Sequence, residues 1–244
     1  MARAARREDS LNILAAAELV PGVGGFGITA FTTTRSAGSF GFQTDEPVNA
    51  VMGRWTALAQ ELSAGGTRLA TVNQVHGADI LVHQPGWEGW LRAPAADGHA
   101  SLQRGTALVV RVADCVPVFI AHPSGVVALL HSGWRGTAAR IVERAIRLLG
   151  SHGLAPSELH LHTGPAICGD CYEVSASVHA QLTGRDPGRP TTVDLRSLIA
   201  DHARALGVGS ITSSASCTRH DNGRFFSHRA GDDGRQVSVI QATR

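Results

Sequence analysis

Three short stretches of this chain each set one soft metal donor beside a turn-forming residue: Asn73-Gln74-Val75-His76-Gly77, Ala113-Asp114-Cys115-Val116-Pro117-Val118 and His131-Ser132-Gly133-Trp134-Arg135-Gly136. Together they offer His76, Cys115 and His131, one donor short of a closed tetrahedral zinc site. A closed site stiffens a fold, whereas three protein ligands leave a position for water or substrate. Separations of 39 and 16 residues match no zinc-finger spacing, so position carries the reading. Each donor stands at the end or turn of a segment that reads as a buried strand, where sheet proteins gather functional groups. A lone His or Cys there is more often structural. Three together, each close to a Gly or Asp, read as a zinc enzyme. The same residues support a second chemistry, in which Cys115 is a nucleophile whose thiolate is stabilised by imidazolium.

Other residues surround this set. His131 to Thr137 reads as a strand-to-helix turn, where backbone N–H groups attract anions and Arg135 adds a planar fork suited to phosphate. The plain alternative for Arg135 is a salt bridge to a surface acid. Arg35, after its own strand, is a second candidate anion ligand. Cys168-Gly169-Asp170-Cys171 is a single CxxC, a weak zinc or redox signal that favours a structural role without a second pair. In Phe225-Phe226-Ser227-His228-Arg229 the phenylalanines suit a core, while Ser227 or Arg229 can face a pocket.

The elements that must position these groups follow from hydrophobic spacing. Gly27 to Thr34 reads as a strand. Thr44-Asp45-Glu46-Pro47 reads as a helix start. Behind it Val48, Val51, Met52, Trp55, Leu58, Ala59 and Leu62 share one face. Leu69 to Val75, Ala107 to Val112, Val116 to Ile120, Val126 to Leu130, Leu159 to Thr163 and Gln236 to Gln241 read as strands, several of them buried on both sides. Thr137 is placed to cap a helix through Ala138, Ile141, Val142, Ala145, Leu148 and Leu149. A short helix is expected after Ser175, and Asp194 starts a clearer one. Pro85 to Gly105 and Gly184 to Pro190 read as loops. Strands that adjoin without an intervening helix favour mixed sheets with outer helices over a purely parallel doubly wound fold.

Composition narrows the class. The 244 residues are 43% hydrophobic and 17% charged, an ordinary globular mix. All 22 basic residues are arginine, dispersed among acids with a net charge of +2, so no basic stripe for nucleic acid is present. No run of about 18 apolar residues suggests a membrane span. Met1 to Ser10 carries both signs of charge, a poor signal peptide. Four scattered cysteines do not make a secreted disulfide framework, and a reducing cytoplasm is expected.

These motifs together resemble the laccase-domain (YfiH-like) family, also called the multicopper polyphenol oxidase family and more lately read as purine nucleoside phosphorylases. The resemblance runs from about Phe31 to the C-terminus. It rests on Phe31-Thr-Thr-Thr-Arg35, Gln74-Val-His76-Gly77, Ala113-Asp-Cys115-Val-Pro-Val118, His131-Ser-Gly-Trp-Arg-Gly136, Gly164-Pro-Ala-Ile167 with Cys171-Tyr-Glu-Val174, and Phe225-Phe-Ser-His-Arg229. Departures are modest: Ser132 stands where many members have Ala, Ala230 replaces an Arg, Cys168 a glycine, and Asp170 one of two adjacent cysteines.

The resemblance implies an α/β (mixed α+β) chain, layered α/β/β/α with mixed sheets, in a YfiH-like, cysteine-hydrolase-like fold. It implies an N-terminal segment over 1–24 and a single catalytic domain over 25–244. The family's metal ligands fall on His76, Cys115 and His131, with Zn2+ rather than copper as cofactor. The implied activity is phosphorolysis of adenosine, inosine and S-methyl-5′-thioadenosine, together with adenosine deamination. The implied partners are purine nucleosides and phosphate, with no nucleic acid or membrane, acting as a monomer or weak homodimer. Asp114 and Glu173 are the candidate proton carriers. Arg35, Gln74, Arg135, Ser227 and Arg229 are the candidate substrate or phosphate contacts. Three rivals remain open: a copper-dependent polyphenol oxidase, for which His160-Leu161-His162 is the only His-x-His pair; a peptidoglycan-precursor editing hydrolase; and a non-catalytic zinc-binding module with Cys168, Cys171 or Cys217 as fourth ligand.

Overall fold

The structure is a computed structural model that describes residues 13–243; the charged stretch Met1 to Ser10 lies outside the described residues. Fourteen strands and five α-helices are assigned among the described residues. In chain order the strands are β1 (Glu18–Leu19), β2 (Ile28–Thr32), β3 (Arg68–Asn73), β4 (Ile80–His83), β5 (Gly89–Ala95), β6 (Gly98–Ser101), β7 (Thr106–Val112), β8 (Val116–Ala121), β9 (Val127–Ser132), β10 (His160–Thr163), β11 (Glu173–Val174), β12 (Thr191–Thr192), β13 (Ser210–Ser213) and β14 (Gln236–Ala242). The helices are α1 (Val48–Leu62), α2 (Trp134–Ala138), α3 (Ile141–Ser151), α4 (Ala176–Thr183) and α5 (Leu195–Ala205).

Two six-stranded sheets form the middle of the molecule, ordered β1-β2-β14-β7-β3-β5 and β13-β10-β8-β9-β6-β4, with β11-β12 as a separate ribbon. Both sheets are mixed. β7 runs antiparallel to β14 but parallel to β3, and β10 runs antiparallel to β8 but parallel to β13. Side chains alternate across a strand, so each central strand serves two layers. In β7, Leu108 and Val110 face the second sheet, while Val109 faces Trp55 and Leu58 of α1. In β8, Phe119 and Ala121 face the first sheet, while Val118 and Ile120 face Ile141, Ile146 and Ile199 of α3 and α5. The layers are therefore α1, sheet, sheet, α3 with α5. Such strands are buried on both faces, which is why they read as unbroken apolar runs.

Local chemistry explains most of the boundaries. Asp194 caps α5 by accepting N–H groups of Arg196 and Ser197, and Ser175 caps α4 through Val178 N–H. On α1 the buried face is Val51, Trp55, Leu58 and Leu62, while Val48 at its first position is 77% exposed. Two expectations are corrected. Pro85 to Gly105 is not a loop, because β5 and β6 run through it as edge and inner strands. Thr137 does not cap α3: it lies inside the short α2, where its hydroxyl donates to Gly133 O, and Arg140 breaks the chain with a φ of 60° before α3 begins. The described part of the N-terminal segment joins the same core, through Ile13 beside α1 and β1 paired with β2. Among the described residues no helix is long and apolar enough to cross a membrane.

Candidate metal centre and its clefts

Strand register brings two of the three donors together. β8 and β9 pair so that Pro117 opposes His131 and Val116 opposes Ser132, which sets Cys115, just before β8, against the end of β9. Cys115 itself is the last of the three residues that cross from β7 in one sheet to β8 in the other. His76 follows β3 and closes the triangle. The donor atoms of His76, Cys115 and His131 lie within 4.8 Å of one another. Gly133 permits this approach, since a Cβ there would lie 2.9 Å from Cys115 Sγ.

One residue that sequence reasoning missed organises the set. Asp97, between β5 and β6 and wholly buried, accepts a 2.8 Å hydrogen bond from His131 Nδ1. Its carboxylate also accepts the backbone N–H groups of Val75, His76 and Gly77 at 3.1, 2.9 and 2.6 Å. Those bonds hold His76 at φ 61°, a left-handed conformation that is costly for a side chain with a Cβ. Asp97 therefore sets the ring of one ligand and the backbone of another, leaving His131 Nε2 for the shared centre. Carboxylate–imidazole pairs of this kind orient metal-binding histidines.

The electrostatics fit a soft divalent cation. Burial alone would raise the Cys115 thiol, but the charge of His131 and hydrogen bonds from His131 and His76 outweigh it and bring it down to about 6. Burial alone would lower His131, yet the Cys115 charge and the hydrogen bonds to Asp97 and Cys115 raise it to about 9. Burial likewise opposes ionisation of Asp97, and the bonds from His131 and Gly77 N–H hold its carboxyl below the usual range. Two imidazoles with a readily ionised thiolate are a donor set suited to zinc.

Two clefts meet at this cluster. The larger, about 390 Å³, is lined by Phe42, Gln74, His76, Arg111, Cys115, His131, His228, Asp233 and Arg235 among others. The smaller, about 250 Å³, is lined by His76, Asp114, Cys115, Trp134, Arg135, Tyr172, His228 and Arg229 among others. Burial lowers the Arg111 guanidinium, and so do the neighbouring charges of Arg92 and Arg235, an arrangement of cations that an anion would relieve.

The remaining expected residues divide. Gln74 lines the larger cleft, but its amide is engaged on both sides with the Arg111 backbone at 2.7 and 2.9 Å. Asp114 lines the smaller cleft at φ 79°, with one carboxylate oxygen accepting Thr218 Oγ1 at 2.6 Å and the other Arg229 N–H at 2.7 Å. Arg135 stacks 4.3 Å over Trp134, and Arg229 lies 5.0 Å over Tyr172 while donating to Glu173 O. Arg35, Ser227 and Glu173 are not brought to the clefts. Arg35 is bound to Asp232 at 2.7 Å and to the carbonyls of Asn222 and Phe225. Ser227 is buried and caps the turn at Ala230, and Glu173 is exposed on β11. Besides Asp97, sequence reasoning missed Arg111, Arg235, His228, Trp134 and Tyr172 as wall residues. Trp134, Tyr172 and His228 fall inside motifs quoted above and the acid-glycine pair Asp97-Gly98 was a signal for Asp97, whereas Arg111 and Arg235 offered none.

A layered α/β/β/α chain with a His-Cys-His cluster at the mouth of two clefts defines a candidate soft-metal protein. The chain belongs to the family described as multi-copper polyphenol oxidoreductase laccase, whose model matches residues 29–243. A Streptomyces coelicolor protein named a purine nucleoside phosphorylase is 35% identical over 80% of this chain and 84% of its own. A Mycobacterium tuberculosis protein of the same name is 34% identical over 87% and 91%. YlmD from Geobacillus stearothermophilus superimposes with a TM-score of 0.83 at 28% identity, covering 92% of this chain and 94% of its own. Bacillus licheniformis YfiH shares the fold, with a TM-score of 0.82 at 23% identity over 92% and 96%. The family's description names copper, a metal that two imidazoles and one thiolate also suit. Neither His160 nor His162 joins a cluster of three or more candidate donors among the described residues, and His162 Nδ1 is bonded to Thr212 Oγ1.

Proposed function

We propose that this chain is a zinc-dependent purine nucleoside phosphorylase of broad specificity, acting on adenosine, inosine and S-methyl-5′-thioadenosine, with adenosine deaminase activity in the same pocket, in the cytoplasm. The observation that carries the reading is the meeting of His76, Cys115 and His131 at the junction of an arginine-rich cleft and an aromatic one. The names of the Streptomyces and Mycobacterium relatives support the reaction class. Four cysteines without a disulfide fit a reducing compartment.

His76, Cys115 and His131 would hold the ion, with Asp97 keeping His131 in the required tautomer. Bound there, zinc supplies Lewis-acid polarisation of a substrate atom or of water. Trp134 and Tyr172 offer faces for the purine, and Arg111 with Arg235 binds phosphate. A phosphate oxygen attacks ribose C1′ as the bond to the base nitrogen breaks, and the departing base takes a proton. His228, exposed and lining both clefts, is placed to deliver it. Asp114 is less suited, because both its oxygens already accept hydrogen bonds. In deamination the same imidazole would serve the leaving ammonia.

A second reading rests on one observation. The ionised pairing of Cys115 with His131 also suits a metal-free cysteine hydrolase, the chemistry a peptidoglycan-precursor editing enzyme would need. Metal-quantified protein assayed on the three nucleosides, with and without phosphate, separates the two. We expect free base and the sugar 1-phosphate (ribose, or 5-methylthioribose from the thioether substrate) only when phosphate is present, and loss of both zinc at this site and turnover in Cys115→Ala. Full turnover by Cys115→Ala protein that holds no zinc at this site, or base release indifferent to phosphate, rejects the phosphorylase.

A further inference from the structure

A second donor cluster lies outside the clefts. Cys168, Cys171, Cys217 and His220 place one ligand atom each within 4.8 Å of one another. The spacing is Cys-x2-Cys followed by Cys-x2-His, two short knuckles from segments 45 residues apart in the chain. Such knuckles supply the four ligands of closed structural zinc sites. The backbone is built for it: Cys171 N–H and Tyr172 N–H both bond to Cys168 O at 3.1 Å, and a parallel bridge between Ala166 and Cys217 joins the two segments. Cys168 N–H donates to Cys217 Sγ at 3.3 Å, an interaction that favours thiolate. His220 Nε2 lies 3.1 Å from Cys171 Sγ. All four cysteines of the chain are free, so no disulfide competes in this arrangement.

Three sulfurs and one imidazole packed this closely, with the Cys168 N–H aimed at Cys217 Sγ, match a closed Cys3His zinc site.

We propose that Cys168, Cys171, Cys217 and His220 bind a second zinc ion, fully coordinated by protein and structural in role. It staples the Ile167-to-Val174 loop to the segment that leads into His228 and Arg229. That loop carries Ile167 and Tyr172 of the smaller cleft, and Thr218 beside Cys217 donates to Asp114, next to Cys115. The ion therefore fixes one wall of the pocket from behind without meeting substrate. This inference stands apart from the catalytic reading.

Zinc counted per chain by plasma mass spectrometry on reduced protein tests it. We expect Cys115→Ser to retain one zinc and the Cys168→Ser/Cys217→Ser pair to lose that one. If the cleft cluster holds no metal, the wild type contains one zinc, which survives Cys115→Ser and still disappears in the pair. His220 is exposed, so His220→Ala should fold normally yet release zinc to a chelator at least about tenfold faster, since even an indirect ligand partner is worth about that much. Cobalt-loaded Cys115→Ser protein should show the thiolate-to-cobalt charge-transfer bands of a sulfur-rich tetrahedral site. Metal-free Cys115→Ser protein that remains so in added zinc, or a Cys168–Cys171 disulfide in reduced preparations, overturns the proposal.

Discussion

Asp97 Oδ1 accepts His131 Nδ1–H at 2.8 Å while the same carboxylate collects three consecutive N–H groups around His76. One buried acid thereby positions two of three candidate ligands by different means, ring orientation and backbone conformation. Asp97→Asn keeps the shape but removes the charge and one acceptor. Zinc affinity at the cleft should fall by about 10- to 100-fold. Competition with a chromophoric chelator measures this, and unchanged affinity would remove Asp97 from the site.

Gly133 has φ −80°, which alanine adopts without strain, so Gly133→Ala tests space alone. The new methyl would crowd Cys115 Sγ at 2.9 Å. Stability should change by less than about 2 kcal/mol, as for modest overpacking. Nucleoside turnover should fall by roughly tenfold to a hundredfold, because a displacement of about 1 Å is costly at a reacting centre. Denaturant unfolding and steady-state rates on the same preparation give both numbers. A normal rate would show that the approach of these residues is not needed.

Arg111 meets the charges of Arg92 and Arg235 in a partly buried setting, and Phe42 lies against its guanidinium at 4.8 Å. If that cleft receives phosphate, Arg111→Ala should raise the KM for phosphate by about tenfold or more, the worth of a charged hydrogen bond. Adenosine deamination should be spared. Arg135→Ala should be milder for phosphate, since that guanidinium stacks on Trp134. Equal losses in both reactions would point to a general defect instead.

Burial of His162 in β10 pushes its imidazole down to about 4, against a smaller opposing effect of Glu18. The folded protein therefore takes up this proton less readily than the unfolded chain. Stability from the neutral ring is complete above about pH 6.5 and declines as pH falls toward 4, by about 2–3 kcal/mol at pH 4.5. His162→Asn, measured with chelator present so that metal release does not contribute, should lose that part of the acid slope. Parallel unfolding curves at pH 7 and pH 4.5 decide it, and an unchanged slope would assign the acid sensitivity elsewhere.

Much of this molecule was written in local pattern. The apolar runs of β7, β8 and β9 announced strands covered on both faces, Asp194 and Ser175 announced their helices, and three donors at strand ends announced a cluster of side chains able to hold a metal. These features depend on residues near one another in the chain, so periodicity and capping chemistry reveal them. Pairing across the fold is different. That Cys115 meets His131 follows from the register of β8 on β9, and that Asp97 serves both histidines follows from the strands hidden in the Pro85-to-Gly105 stretch. Arg35 and Arg111 are alike in sequence, one tied to Asp232 and the other left facing a cleft. Cys217 and His220 joined the earlier CxxC only because a bridge at Ala166 laid the two segments side by side. Donor identity is a property of residues, whereas a site is a set of distances, and those are decided where sheets pack.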